Sequence, residues 1–212
     1  MIAATGPEPP RDCPRCPRLV AHRAASAARE PGWFNGAVPS VGDPAARLLV
    51  LGLAPGLGGA NRTGRPFTGD ASGALLHATL RRFGFATDTP GGLRLDDCLV
   101  SNVVRCVPPA NRPTAAEIAA CRPFLAARLA ALPRLAAVVC LGRIAHEALM
   151  ASLGARPREH PFRHGARHAV AGFAVFDSYH CSRYNTSTGR LTVPMFEAVF
   201  AAVRDRLGDA TA

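Results

Sequence analysis

With 212 residues, 48% of them hydrophobic, the chain can bury one sizeable core but is too short for two comfortable domains, so it reads as a single domain over 1–212. No uninterrupted apolar run of about 18 residues occurs, and the opening MIAATGPEPP lacks the basic and apolar regions of a signal peptide; the expectation is a soluble protein of the bacterial or archaeal cytosol, not a membrane protein, with a flexible stretch over 1–10. The formal net charge of +10 rests on 25 basic residues, all of them arginine, and suits a polyanionic partner such as nucleic acid, although a coding bias toward arginine gives the same composition.

The elements alternate along the chain. A helix is expected after CPRC (13–16), followed by RLLVLGL (47–53) as a buried strand and DASGALLHATLRRFGF (70–85) as a helix. CLVSNVV (98–104) reads as a second strand, and the Pro- and Asn-rich turn VPPANRP leads into a helix opening at Thr114, where Glu117 completes a capping box. AAVVCLG (136–142) is a third strand, IAHEALMASLG a helix, FAVFDSY (173–179) a fourth strand, and VPMFEAVFAAVRDRL the closing helix. Continuous apolar strands alternating with helices predict an α/β/α sandwich around a mainly parallel sheet. Ligands bind such sheets beyond the carboxyl ends of the strands, so the loops beginning at Ala54, Arg105 and His180 should converge on a site.

Those loops hold the unusual residues. GLAPGLGGANRTGRPFTGD (52–70) is too rich in glycine for an ordinary connection, and glycine lets backbone approach a ligand closely. It contains neither GxGxxG nor a Walker pattern, which leaves a flexible surface loop or a different cradle. Asp70 on its own reads as a helix N-cap, Asn102 as an Asx turn or buried amide, Phe67 as core and His180 as a structural histidine. Seven cysteines in a reducing compartment argue for metal binding or burial and against disulfides. Cys13 and Cys16 with Cys106 and Cys121 form two separated pairs able to close a four-thiolate site, which suits zinc or an iron–sulfur cluster alike. Cys98 and Cys140 sit in apolar strands as packing residues. The spacing of His22, His77, His146, His160, His164 and His168 suggests no ligand set.

GLAPGLGGANRTGRPFTGD resembles motif A of the uracil-DNA glycosylase superfamily, and NRTGRPFTGD is most similar to the family 5 (type b) enzymes; SYHCSRYNTSTGR (178–190) resembles motif B. The resemblance extends over about residues 10 to 205. It implies a monofunctional DNA glycosylase that hydrolyses the N-glycosidic bond of uracil and other deaminated or damaged bases in double-stranded DNA during base excision repair. It further implies that Asp70 and His180 are catalytic, Asp70 stabilising the sugar cation or orienting water, and that Leu53, Ala54, Phe67, Asn102 and His180 hold the base. Asn102 would read uracil O4 and N3–H together, because an amide donates and accepts side by side. Ser182, Arg183, Tyr184 and Arg190 would lie on a loop that enters the minor groove. The four cysteines Cys13, Cys16, Cys106 and Cys121 match the ligands of a [4Fe–4S] cluster in the family 4 and 5 enzymes.

Two positions depart from the family patterns. Cys181 stands where many members have Pro, which bears on loop rigidity, and Leu53 stands where family 4 enzymes carry an acid, which favours family 5 and a broader base range including hypoxanthine, xanthine and ethenocytosine. A family 4 type enzyme restricted to uracil and a non-catalytic metal-containing nucleic-acid-binding module are the rival readings. The chain contains no lysine, and so lacks the usual amine for Schiff-base attack on the sugar. A monomer is expected.

Overall fold

The computed structural model describes residues 7–156 and 158–208. In chain order the elements are α1 (Pro17–Arg29), β1 (Val41–Gly42), β2 (Leu48–Gly52), α2 (Ala60–Thr63), α3 (Ala71–Arg82), β3 (Ala86–Thr89), β4 (Gly92–Leu95), β5 (Cys98–Asn102), α4 (Ala115–Ala130), β6 (Ala137–Leu141), α5 (Arg143–Ser152), β7 (Arg167–Val170), β8 (Phe173–Ser178), α6 (Arg183–Ser187) and α7 (Val193–Gly208). Six strands form one sheet in the order β1-β5-β2-β6-β8-β7. The inner four are parallel, while β1 and β7 run antiparallel along the two edges.

The apolar runs fold this way because each of β2, β5 and β6 is buried at every residue, as strands covered on both faces must be. Side chains alternate between two cores. Leu49, Leu51, Leu99 and Val138 pack with Leu19 of α1, Leu125 of α4 and Leu149 of α5. Leu48, Val50, Val100 and Val139 pack with Leu76 and Leu80 of α3 and Phe196, Phe200 and Val203 of α7. Each fully buried Leu or Phe contributes roughly 1.5–3 kcal/mol. At the start of α4 the Thr114 hydroxyl accepts from the Glu117 amide and the Glu117 carboxylate accepts from the Thr114 amide, the capping box read from the sequence.

Four strands lie outside the sequence reading, as do the short helices α2 and α6. β1 has only two residues, β7 alternates exposed and half-buried side chains, and the β3–β4 hairpin is short and polar, so none carries a continuous apolar signal. The stretch expected to be flexible falls partly outside the described residues. Within them Glu8 is tied down, its carboxylate paired with Arg105 at 2.7 Å and with Arg128. Among the described residues no helix is long and apolar enough to cross a membrane.

Three of the histidines that looked unremarkable in the sequence, His146, His160 and His168, meet in a network between α5, β8, β7 and the segment leading into β7. His146 Nδ1 lies 2.7 Å from Asp177 Oδ1 and its Nε2 lies 2.7 Å from the His160 carbonyl, while Asp177 Oδ2 also receives His168 Nε2 at 3.0 Å and the Arg163 amide at 3.3 Å. Both ring nitrogens of His146 face acceptors, so the ring is an imidazolium paired with Asp177. Burial alone would lower the His146 pKa, but the hydrogen bond and charge of Asp177, the His160 carbonyl and Glu147 together raise it above the ordinary histidine value. Stabilisation from this group is therefore complete below about pH 6.5 and is lost as pH rises through the raised native pKa. Removing one partner of such a buried pair costs about 3–5 kcal/mol. Asp177→Asn is expected to destabilise the protein by that amount at pH 6, and the gap to the unaltered protein should narrow by pH 9, as measured by denaturant midpoints at both values.

Candidate functional site

The parallel strands end together along one edge of the sheet, and the glycine loop, the loop after Asn102 and the loop after Ser178 leave from that edge. In the register Gly52 of β2 stands beside Asn102 of β5. A Cβ on Gly52 would sit 2.4 Å from Asn102 Oδ1 and 2.5 Å from Phe67 Cζ, so only glycine lets the amide and the ring close over the strand end. Phe67 itself has φ 51°, a left-handed conformation costing on the order of 1–3 kcal/mol in a non-glycine residue. Its carbonyl lies over Gly73, where a Cβ would come within 1.9 Å of the oxygen. Asn102 is buried, and its Oδ1 has no hydrogen-bond partner, at a cost of about 1–3 kcal/mol.

Asp70 divides its two carboxylate oxygens between a helix and the glycine loop. Oδ1 caps α3 by accepting from the Gly73 amide at 2.9 Å. Oδ2 lies against the glycine loop, where a Cβ on Gly59 would approach it to 2.4 Å. His180 stacks on Phe67 with ring centroids 6.0 Å apart and planes at 29°. Burial lowers its pKa below the ordinary value, with Asp70 pulling weakly the other way, so the ring is neutral near pH 7.

Leu53, Ala54, Phe67, Asp70, Asn102, His180 and Ser182 all line a single cavity of about 270 Å³. The structure adds Ser72 and Asn111 to its wall. Asn111 and its neighbour Ala110 both have positive φ, 54° and 53°. The turn VPPANRP was the available signal for Asn111, but a turn motif does not say which side chain faces a cavity.

A second cavity of about 400 Å³ shares Leu53 and His180 with the first and is lined by Arg143, Arg163 and Arg190. Arg190 lies over the Tyr179 ring at 4.6 Å and Arg143 over Phe162 at 5.7 Å. The expected loop residues gather beside it. Ser182 caps α6, Arg183 is exposed, and Tyr184 stands out at 71% exposure.

Cys13, Cys16, Cys106 and Cys121 line one small, largely enclosed cavity between α1, α4 and the loop after β5. Burial pushes the Cys106 thiol up to about 12 and the Cys121 thiol up to about 11, so neither ionises readily without a metal. Among the described residues no three of these four sulfurs lie within 4.8 Å of one another, whereas one tetrahedral zinc with bonds of about 2.3 Å would draw them to about 3.8 Å. The same cavity wall includes Arg105, whose buried Nε and Nη2 have no partner. Four thiols around one enclosed cavity with unmet donors on its wall fit a metal group with acceptor sulfurs. A second grouping, Cys140, His146 and Asp177, brings ligand atoms within 4.8 Å of one another, but His146 and Asp177 already saturate each other and their neighbours.

A family model described as the Uracil DNA glycosylase superfamily matches residues 39–204. The Type-5 uracil-DNA glycosylase of Thermus thermophilus is 47% identical over 207 residues, covering 92% of this chain and 94% of the relative. The chain belongs to the type-5 group of the uracil-DNA glycosylase superfamily. The Type-5 uracil-DNA glycosylase of Pyrobaculum aerophilum is 42% identical over 86% of this chain and 83% of the relative, and a Type-4 uracil-DNA glycosylase of the same organism is 34% identical over 69% and 63%. The fold is also that of wild-type SMUG2 from Pedobacter heparinus, with a TM-score of 0.50 at 16% identity over 96% of this chain and 94% of that one.

In this type-5 chain the loop after β8 is held without the proline found in many members. Cys181 is 1% exposed with its Sγ 3.5 Å from the Ser72 carbonyl, and Asn185 Nδ2 donates to the His180 carbonyl at 2.8 Å. Burial of the thiol and one amide thus tie this loop to α3 and to its own short helix. Gly52→Ala is expected to lower stability by about 1–3 kcal/mol through overpacking of Phe67 and Asn102, read as a drop in denaturant midpoint; an unchanged midpoint would show that the strand end is looser than its geometry.

Proposed function

We propose that the chain removes uracil from double-stranded DNA by hydrolysing the N-glycosidic bond, releasing free base and leaving an abasic site. The observation that carries this reading is the buried, unpartnered Oδ1 of Asn102 at the mouth of a cavity walled by Phe67 and His180. A uracil flipped out of the stack brings N3–H to that acceptor and O4 to the neighbouring amide N–H, whereas the cytosine amino group would meet a donor. The base lies on the Phe67 face. As the bond to the sugar breaks, negative charge grows on the base and positive charge on the sugar. Neutral His180 donates a hydrogen bond to the developing oxyanion at O2, and the free oxygen of Asp70 faces the sugar, steadying its charge or aligning the attacking water. With no lysine in the chain, water is the nucleophile and strand cleavage requires later treatment of the abasic site.

Tyr184 on its exposed turn is placed to act as the wedge that keeps the stack open, with Arg183 and the arginines of the second cavity on backbone phosphates. The pocket wall at Leu53 and Ala54 is apolar, which favours a tolerant site that also accepts hypoxanthine, xanthine and ethenocytosine. Cys13, Cys16, Cys106 and Cys121 hold a [4Fe–4S] cluster, which when bound cross-links the segment before α1, the loop after β5 and α4. These four residues take no part in the hydrolysis, and the chain works as a monomer.

Release of base from a uracil-containing duplex tests the activity, and hypoxanthine opposite thymine tests the range; excision of uracil alone would restrict the enzyme to a type-4 pattern. Asp70→Ala and His180→Ala should each lower the single-turnover rate roughly tenfold to thousandfold while DNA binding persists, and wild-type rates in both would remove these residues from the chemistry. Asn102→Asp should impair uracil excision by replacing a donor with an acceptor. Anaerobically purified protein should contain iron and acid-labile sulfide, and should lose thermal stability when they are removed; stoichiometric zinc in their place would refute the cluster.

A further inference from the structure

Arg105 and Arg23 are buried cations that the base pocket does not use. Arg105 is 1% exposed and Arg23 5% exposed, although the side chain of an arginine is seldom buried without full pairing. Each is only partly satisfied. Arg105 Nη1 is held by Glu8 at 2.7 Å and reaches the Val38 carbonyl at 3.4 Å, but its Nε and Nη2 have no partner. Arg23 spends Nη1 on the Arg11 carbonyl and Nη2 on the Cys13 carbonyl, while its Nε is left over. These are three of the five buried side-chain N or O atoms without a partner among the described residues.

Their surroundings say what they await. Arg105 lines the cysteine cavity, and its backbone N–H donates to the Cys121 sulfur. The positive charge of Arg105 acts on Cys121, and that of Arg23 acts on both Cys16 and Cys106. Glu8 engages only Nη1 of Arg105 and shares its carboxylate with a second cation, Arg128, so it leaves the Nε and Nη2 donors unmet. Arg105 therefore keeps two unused N–H groups on the wall of the thiol cavity, and the charge of Arg23, buried behind that wall with one N–H to spare, reaches two further cysteines.

We infer that Arg105, assisted by Arg23, is a positioning residue for the cysteine-bound cluster, donating hydrogen bonds from its free Nε and Nη2 to cluster or cysteine sulfur and thereby raising the cluster's reduction potential. The inference rests on the [4Fe–4S] reading above. Four thiolates and the cluster core carry net negative charge, and hydrogen bonds and cations at the sulfurs favour the reduced form, which carries one electron more. A bidentate fork explains why arginine occupies the position, since it offers two parallel donors that stay charged when buried.

The test uses anaerobically purified holoprotein. Iron and sulfide are counted first, and the cluster is then reduced to its paramagnetic state in protein carrying guanidino-¹⁵N arginine. Hyperfine coupling of guanidinium nitrogen to the cluster is expected in the unaltered protein, so this reading does not depend on any variant folding. In Arg105→Met with full iron content, the coupling should weaken and the reduced-to-oxidised ratio at a fixed solution potential should fall tenfold or more, about 59 mV for a one-electron couple. Arg105→Lys, which keeps charge but loses the fork, should fall between the two. Glu8→Gln separates a merely structural role, because it disturbs the anchor of Arg105 and leaves the donors in place; its ratio should stay nearer the unaltered protein than that of Arg105→Met. Full iron and sulfide with no guanidinium coupling, or with an unmoved ratio in Arg105→Met, overturns the inference and leaves the cluster standing. Zinc without sulfide overturns both.

Discussion

The site depends on one steric constraint, the missing side chain at Gly52. Parallel pairing sets this residue beside Asn102 at the carboxyl edge of the sheet, and the bare backbone lets Phe67 and the Asn102 amide approach to distances that no Cβ would permit. The other demands follow from that approach. Phe67 must take a left-handed backbone to bring its ring over, Gly73 must be bare to admit its carbonyl, and Gly59 must be bare to admit Asp70. The glycine loop is thus a packed surface whose glycines each remove a particular clash, and its conformational cost is met by the burial around it.

Burial also sets the state in which an acid, an amide and an imidazole face the cavity. Asp70 spends one oxygen on a helix cap, which fixes the direction of the other. Asn102 is buried with an unmet acceptor and so favours a ligand that donates there. His180 is kept neutral by desolvation, which leaves one ring nitrogen as a donor and the other as an acceptor. None of these properties belongs to the residue type; each comes from where the strands end.

The strands and most helices were legible in the sequence because β2, β5 and β6 are apolar at every position and the helices carry caps such as Thr114 with Glu117. The edges were not legible. β1 and β7 pair antiparallel through short segments with little buried surface, and their patterns resemble ordinary loops. The resemblance of two loop motifs singled out Asp70, Phe67 and His180, the wider resemblance added Asn102, and the fold brings all four to one cavity. Asn111 escaped because its side chain is aimed by two consecutive left-handed residues, which a sequence does not display. The His146–Asp177 network escaped for a different reason: its members come from α5, β8 and two positions around β7, and only tertiary packing makes them neighbours.

Glu117 closes more than its own helix. The carboxylate that completes the cap on α4 also receives Arg18 of α1, at 2.7 Å through Nη2 and 2.8 Å through Nε, and Arg18 reaches on to the Arg112 carbonyl. Cys16 lies directly before α1 and Cys121 lies on α4, so this latch joins the two helices that carry half of the thiols. It is made wholly of side chains and backbone. A change at this one buried acid would therefore be felt twice, loosening the cap of α4 and the seat of α1 together, so that both walls of the thiol cavity answer to a single carboxylate.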